Sequence, residues 1–418
     1  MRYISLFFLL FLRSNFPIEH MNFFEPYEWL LDLNRLSLPE KKCTQQLTIR
    51  GEYGFNFRGY PVDPTESLIN NYNTKTLAAN SCQYIDQKES LYSAFLGQTP
   101  CFSTELPQRF TRYNGLSANE RCEIKGDMSM VGITAQYEFW FRKNIKIGYY
   151  LPFYSLQVKQ LTPFLEENKQ TFESEITNNI LTTYQAKGTK IRPYKLEGLG
   201  DSMLLVSWQQ YFYENRDFIT GLLASLRIGL LLPTAFHRTT FIDTFLKIPL
   251  GYDAAWGIPF GGSIELDLGC YAGAGISADC IAFFERLADR YIKTDMRQSD
   301  MLSIQKAQSL LTPGFKETFS AYLTAHDFEK TVLGTIAYQY NKQNESDIIL
   351  CDSSYVNLIA QTSEFLESWT AHNLLFTLAS EKEIHGVHTL YNVFFKLGFH
   401  GMRSIVANTF GFQITASF

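Results

Sequence analysis

The sequence predicts an all-β protein, a transmembrane antiparallel up-and-down β-barrel of about 12 strands. We expect long, partly helical extracellular loops and a short N-terminal helical segment. Three observations support this prediction. Segments that alternate between apolar and polar residues run from residue 46 to the last residue, their connections alternate between short and long, and the chain ends in an alternating aromatic pattern. Bacterial outer-membrane barrels have an even number of strands, short periplasmic turns and longer outer loops.

The composition favours a barrel over two other classes of protein. The 418 residues include 35 Phe, 24 Tyr and 5 Trp, whereas charged residues make up only 19%, below the roughly 25% that is typical of soluble domains. Lys and Arg total 37 against 42 Asp and Glu, so the charge balance argues against a nucleic-acid partner. After the N-terminus no run of 18 apolar residues occurs, which excludes a helical membrane protein.

The first residues predict export. Arg2 is followed by an apolar block from Ile4 to Leu12, which has the length of a signal-peptide core and is too short to span a bilayer as a helix. We therefore predict a signal peptide at 1–15, an N-terminal helical segment at 16–45 and an outer-membrane β-barrel at 46–418. A buried first strand or helix is the alternative for the apolar block, because no small-x-small cleavage site follows Leu12.

The segment before the barrel has the spacing of an amphipathic helix. Tyr27, Leu30, Leu31 and Asn34 fall on one face of such a helix. The helix could plug the lumen, lie on the periplasmic membrane surface or form a mobile arm, and the sequence leaves all three open.

Twelve segments have the alternation of a strand with one lipid face and one lumen face. In the first, Leu47, Ile49, Tyr53, Phe55 and Phe57 form the apolar face. The predicted strands are 47–58, 131–141, 145–153, 202–212, 220–232, 248–256, 264–270, 315–323, 332–340, 369–379, 391–399 and 404–418. Short turns are predicted at 142–144, 214–217, 257–261, 325–328 and 380–386, and long connections at 61–125, 159–198, 273–313 and 341–366.

Aromatic residues lie near the ends of several apolar faces, as in the girdles at bilayer interfaces. At the end of the chain, Phe410, Phe412, Ile414 and Phe418 occupy every second place with one gap. This ending resembles the terminal signal read by the barrel-assembly machinery. The predicted location is therefore the cell outer membrane, and the predicted partners are its lipid bilayer and that machinery.

Charged residues at bilayer depth are tolerated when they face the interior of a barrel. We predict that ten such residues line the lumen, and that Arg227 pairs with Glu265, Asp267 or Asp253. They either pair and fill the barrel, or stand in channel water, or select what passes. The ten candidates are Arg50, Glu52, Glu138, Lys146, Arg227, Asp253, Glu265, Asp267, Lys316 and Lys396.

No constellation for catalysis or metal binding emerges from the sequence. His385 and His388 have a spacing found in metal sites, but no third ligand is near them in the sequence. His326 beside Asp327 falls in a predicted periplasmic turn, where it is not part of a triad. We therefore predict no enzymatic activity, no metal and no cofactor.

Several short motifs carry a resemblance to a known family. The block Gly198-Leu-Gly-Asp201, and the Pro233-Thr234 that ends the strand Leu222 to Leu232, resemble the outer-membrane channels of the phenol-degradation meta-pathway. These are related to the long-chain fatty-acid and hydrocarbon transporters. Ser368-Trp-Thr-Ala-His372 is similar to a late strand of the family, so the resemblance spans roughly 126 to 418. Ala235 departs from it, standing where a Gly commonly follows Pro-Thr.

The resemblance implies a channel or transporter for passive uptake or efflux of small apolar or amphipathic molecules. Its precedent for the N-terminal segment is a plug in the lumen. The alternative is a non-transporting surface barrel whose long loops bind partners or serve an envelope-structural role. A continuous path through the lumen would favour transport, and a sealed interior under large ordered loops would favour the alternative.

Overall fold

A computed structural model describes residues 27, 31, 45–60, 122–165, 189–190, 193–213, 219–235, 243–244, 250–252, 255–269, 271–293, 305–327, 332–363 and 366–418. Eighteen strands lie in this part of the chain. They are β1 (Gln45–Tyr60), β2 (Cys122–Arg142), β3 (Ile145–Leu165), β4 (Thr189–Lys190), β5 (Tyr194–Leu199), β6 (Ser202–Tyr213), β7 (Gly221–Leu232), β8 (Asp243–Thr244), β9 (Gly257–Leu268), β10 (Ala272–Phe283), β11 (Arg286–Ile292), β12 (Gln305–Thr312), β13 (Lys316–His326), β14 (Val332–Gln343), β15 (Asp347–Leu350), β16 (Trp369–Ile384), β17 (Val387–Met402) and β18 (Ser404–Ser417).

Twelve of these strands close an antiparallel barrel. Their order is β1-β2-β3-β6-β7-β9-β10-β13-β14-β16-β17-β18, and β18 pairs back onto β1 with Tyr53 opposite Phe410. At the end of this seam the Gln45 amide donates to the Phe418 carbonyl at 3.1 Å. The predicted up-and-down barrel of twelve strands is therefore confirmed.

Two of the twelve predicted strands were wrong in position. The predicted strand 248–256 does not exist where the chain is described, because residues 250–252 form bends and Leu250 is buried. The next predicted strand, 264–270, is the second half of β9 (Gly257–Leu268), so the turn predicted at 257–261 is strand. The long loop predicted at 273–313 begins with a barrel strand, β10 (Ala272–Phe283). One false strand and one missed strand left the count unchanged.

The connections sort onto two ends of the barrel. The turn end carries the tight turns 143–144, 269–271 and 385–386, together with both ends of the barrel chain. His385 and Gly386 both have positive φ angles, 51° and 81°, as a type I′ hairpin turn requires. The opposite, loop end carries the long connections and one tight turn at Arg403.

Part of the loop end extends the barrel wall. Strands β11, β12 and β15 form a separate three-stranded sheet in the same order as β10, β13 and β14, which they continue. Its buried side packs around Leu311, Ile348 and Leu350. In the described part of these loops, one short helix, Asn357–Ala360, accompanies this sheet. Most residues of the predicted N-terminal helical segment fall outside the described residues.

The two faces of the barrel wall differ in chemistry. Outward side chains such as Ile49, Ile133, Leu226 and Ile228 are exposed. Aromatic side chains stand near both ends of the outer surface, with Phe139, Phe141, Phe212 and Tyr213 at the turn end and Trp256, Phe260, Phe284, Phe315 and Phe399 at the loop end. A closed barrel that is apolar outside and aromatic at its two rims is an outer-membrane barrel.

Phe57 is an exception to the predicted apolar face of β1. The register of β1 against β18 shifts between Phe55 and Arg58, and Asn56 has a φ of 52°. Such a β-bulge changes which face the following residues occupy. Phe57 therefore lies inside the barrel with 4% of its surface exposed, and its prediction as a lipid-facing girdle residue is wrong.

No helix in the described part of the chain is long and apolar enough to cross a membrane.

Candidate functional site in the barrel lumen

Nine of the ten predicted lumen residues are described, and all nine occupy inward positions of the wall. Asp253 lies outside the described residues. Six of the nine side chains are buried and three are partly exposed. The buried ones are Arg50, Glu138, Lys146, Arg227, Glu265 and Lys316, and the partly exposed ones are Glu52, Asp267 and Lys396. Whether they select or bind a solute stays a prediction.

Toward the turn end, the predicted charges are held by other wall residues. Lys146 Nζ lies 2.9 Å from Glu138 Oε1, and the Tyr150 hydroxyl donates to the same oxygen at 2.9 Å. The Tyr211 hydroxyl donates to Asp267 at 3.1 Å. Each carboxylate accepts a hydrogen bond from another strand, from β3 for Glu138 and from β6, across β7, for Asp267. These residues therefore stabilise the wall as well as line it.

Arg227 pairs with a residue that the sequence reasoning missed. Its guanidinium makes two bonds to Asp279 Oδ1, at 3.0 and 2.8 Å, and one to Oδ2 at 3.0 Å. Asp279 lies on β10, which was predicted to be a loop. Of the three predicted partners, Asp253 is not described, and Glu265 instead accepts from the Tyr322 hydroxyl at 3.2 Å, while Asp267 accepts from Tyr211 as above. Among the described residues Asp279 thus takes the place predicted for Glu265 or Asp267, and pairing of Arg227 with Asp253 stays a prediction.

The ion pair passes over a glycine. Arg227, Gly261 and Asp279 face each other in one row across β7, β9 and β10. A Cβ atom at position 261 would overlap the Asp279 carboxylate. Gly261 thus lets a guanidinium reach a carboxylate two strands away. The neighbouring row consists of Ser225, Ser263 and Ser277, with the first two hydroxyls 2.6 Å apart.

A cavity of about 60 Å³ opens beside this pair at the loop end. Lys316 Nζ donates to the Tyr252 hydroxyl at 3.0 Å and stands 4.9 Å from the centre of its ring, a cation–π geometry. The apolar lining includes Met203, Leu205 and Ile281. The cavity therefore joins charged and apolar groups, as sites for amphipathic ligands do.

Two of the motifs that carried the family resemblance, Gly198-Leu-Gly-Asp201 and Pro233-Thr234, meet at the loop end of β6 and β7. The Asp201 carboxylate is buried and accepts hydrogen bonds from the backbone amides of Ala235 and Tyr252. The Thr234 hydroxyl donates to the Gly200 carbonyl at 2.9 Å and accepts from the Ser202 amide at 2.8 Å. Asp201 was quoted in the sequence motif without a role, and here it positions Tyr252 against the cavity.

Two residues of the N-terminal segment are described, and both lie inside the barrel. Tyr27 packs edge-on against Tyr150 with ring centres 5.0 Å apart, and it contacts the apolar cluster of Met203, Leu205 and Leu231. Leu31 is helical and packs among Tyr322, Ala337, Leu375 and Phe394. These contacts connect the wall of β3, β6 and β7 with the wall of β13, β14, β16 and β17.

The inner wall also changes along its length. On the loop-end halves of β1, β2, β3 and β6 the inward residues are mostly apolar, namely Phe57, Met128, Met130, Tyr154, Leu156, Val158, Met203 and Leu205. On the turn-end halves of β1 and β2 they are polar, namely Gln46, Thr48, Arg50, Thr134, Gln136 and Glu138. A molecule entering from the loop end would meet apolar surface first.

The predicted assembly signal lies on the lipid side of β18. Phe410, Phe412, Ile414 and Phe418 are exposed, whereas Ser417 pairs opposite the buried Gln46. We expect Phe418→Ala to reduce the amount of inserted, heat-modifiable barrel several-fold, since it removes the last aromatic of the signal. The Ser417→Ala variant is the control and should insert normally. Equal insertion of both variants, measured by gel mobility before and after heating, would contradict the assembly prediction.

Solved structures of outer-membrane proteins resemble this chain at low identity. An outer-membrane channel from Pseudomonas putida F1 is 8% identical with a TM-score of 0.45, and the match covers 90% of this chain and 96% of that one. The monoaromatic hydrocarbon channel CymD is 8% identical with a TM-score of 0.31, covering 93% and 92%. The Pseudomonas putida toluene transporter TodX is 9% identical with a TM-score of 0.26, covering 91% and 90%. No family model and no curated protein matches the chain.

Proposed function

We propose that the protein is a passive outer-membrane channel for small apolar or amphipathic molecules, with the segment 16–45 as a plug in its lumen. The observation that carries the proposal is the pair of contacts made by Tyr27 and Leu31. Leu31 packs against the wall of β13, β14, β16 and β17, and Tyr27 packs against the wall of β3, β6 and β7 as well as against the cluster that contains Leu31. They belong to a segment that precedes the first barrel strand, so the wall can keep its pairing when the segment moves.

The chemistry of the lumen supports the solute class. Apolar inward residues at the loop end, such as Met130, Leu156 and Leu205, offer a surface on which apolar parts of a molecule leave water. Ion pairs such as Lys146 with Glu138 and Arg227 with Asp279 place opposite charges side by side, so the wall does not favour ions of one sign.

Export and assembly belong to the same proposal. We infer that residues 1–15 act as a signal peptide and that the barrel-assembly machinery inserts residues 46–418. The exposed aromatic ending of β18 supports the second inference.

Two measurements test the channel. We expect the full-length barrel in planar bilayers to conduct rarely, and a variant lacking residues 16–42 to conduct steadily. Cells that make the variant should take up N-phenyl-1-naphthylamine, an apolar dye that an intact outer membrane excludes, faster than cells that make the full chain. If neither form conducted and neither changed dye uptake, the barrel would be a surface protein that does not transport.

A further inference from the structure

The inner wall formed by β14, β16 and β17 presents mostly uncharged polar groups. Thr335 and Asn341 lie on β14, Asn373 and Thr377 on β16 and Asn392 on β17, all buried at inward positions. We call these five residues the amide face. Charged residues at inward positions of this wall are Lys396 on β17 and, toward the turn end, Glu381 on β16. The adjoining wall, from β7 to β13, carries Arg227, Glu265, Asp267, Asp279 and Lys316 instead.

The amide face has two levels with an apolar row between them. Thr335 stands opposite Thr377 at the level nearer the turn end, and Gln339 stands opposite Asn373 at the level nearer the loop end. Ala337 and Leu375 face each other in the row between. Leu31 packs against that row. The proposed plug therefore places an apolar side chain between two levels of amides and hydroxyls.

Buried atoms of the amide face retain hydrogen-bonding capacity. Among the described residues, no hydrogen-bond partner is found for Nδ2 of Asn341 and Asn373, for Oγ1 of Thr335 and Thr377, or for either terminal atom of the Asn392 amide. The exposed fractions of these five side chains range from 0% to 7%. Buried polar atoms in proteins nearly always have a partner. These atoms lie at inward positions of the wall and are covered in this structure, so a solute in the lumen can become their partner once the proposed plug moves aside.

The type of group identifies the solute. Amides and hydroxyls both donate and accept hydrogen bonds without a net charge. Charges on the adjoining wall are held by protein groups, since Arg227 bonds Asp279, Lys316 bonds Tyr252 and Glu265 bonds Tyr322. An ion that entered this face would exchange its hydration shell for uncharged groups alone. A hydroxyl or amide group of a solute could instead replace each hydrogen bond to water with a hydrogen bond to the wall.

We propose that the amide face is the part of the channel that binds an uncharged solute carrying hydroxyl or amide groups. The inference rests on the proposed function and extends its solute class from apolar and amphipathic molecules to uncharged molecules that carry hydroxyl or amide groups. In this arrangement Leu31 covers the binding face, and movement of the plug exposes it.

Liposome swelling with the full-length chain tests the amide face. Tyr27→Ala and Leu31→Ala release the plug, and arabinose and potassium gluconate are the uncharged and charged probes of similar size. Arabinose should enter faster than gluconate. Asn373→Leu and Asn392→Leu in this background should slow arabinose by about fivefold for each hydrogen bond lost, with gluconate unchanged. Ser380→Leu, an outward change on β16, is the matched control and should leave both rates unchanged.

The outcomes separate this inference from the channel itself. Equal entry of arabinose and gluconate, or no effect of the two Asn changes, would overturn the amide face and leave the channel standing. Failure of every solute to enter would overturn the proposed function, and the amide face with it. If the Leu variants do not insert, Thr335→Val with Thr377→Val keeps the side-chain shape, and a normal arabinose rate in that variant would equally overturn the inference.

Discussion

The conductance of the reconstituted full-length barrel should rise by about tenfold or more when Tyr27 and Leu31 are both changed to Ala. Leu31 is buried among four wall residues, and Tyr27 packs against Tyr150 and a second apolar cluster. Removing a buried Leu side chain costs about 2 to 5 kcal/mol, and each 1.4 kcal/mol changes an equilibrium by about tenfold. Loss of these contacts therefore shifts the proposed plug toward its released state.

Planar-bilayer recordings at a fixed amount of inserted protein give the measurement. The matched control is Leu226→Ala, which removes the same atoms from an exposed, lipid-facing position and should leave the conductance as it is. Each single variant should give an intermediate increase, because each removes only part of the contacts between the segment and the wall. An unchanged conductance in the double variant, with normal insertion, would mean that residues 27 and 31 do not close the lumen.

The sequence was sufficient for the architecture because lipid and lumen impose opposite chemistry on alternate residues. That rule is strong where a strand has bulky apolar residues on one face, as in β2 with Val131, Ile133, Tyr137 and Phe139. The rule is weak in β10, where Ala, Gly and Ser fill much of both faces. The two faces of this strand differ little in hydrophobicity, so its sequence resembled that of a loop.

The false strand at 248–256 has the opposite cause. Its apolar residues are real, but Leu250 and Ala255 are buried in a connection and do not face lipid. Asp201 binds the amide of Tyr252 within that connection, and this long-range bond has no local signal. Missing β10 also concealed Asp279, so the partner of Arg227 could not be named. The β-bulge at Asn56, after which the side chains change sides of the wall, likewise depends on the pairing of β1 with β18.

Most of the candidate lumen residues could be placed on the correct face, but not their partners. Alternation fixes the face of a residue within its own strand. The partner across the sheet depends on register, as with Glu265 and Tyr322, which are 57 residues apart in sequence. The amide face was missed because Asn and Thr carry no charge and were not considered as candidates.

Arg227→Met should lower the stability of the barrel by about 3 to 5 kcal/mol while the conductance of each channel stays the same. The guanidinium is almost fully buried and makes three bonds to Asp279. Removing one partner of a buried pair costs about this much, because the other charge loses its compensation. The Asp279 side chain is 27% exposed, so water offsets part of the cost and the loss should lie at the lower end of this range. The loss should appear in urea unfolding of the barrel in detergent. Lys195→Met is the control, since the Lys195–Glu197 pair is exposed and such pairs contribute about 1 kcal/mol or less.

A second pair of variants separates this ion pair from general packing. In the double variant Arg227→Met, Asp279→Asn no buried charge remains unpaired, so the loss should be smaller than the sum of the two single losses. Gly261→Ala places a methyl group where the Asp279 carboxylate lies and should cost nearly as much as Arg227→Met, whereas Gly334→Ala meets no atom closer than 3.9 Å and should cost far less. Additive losses in the double variant would mean that Arg227 and Asp279 do not act as a pair. A changed single-channel conductance in Arg227→Met with normal stability would instead place Arg227 on the solute path.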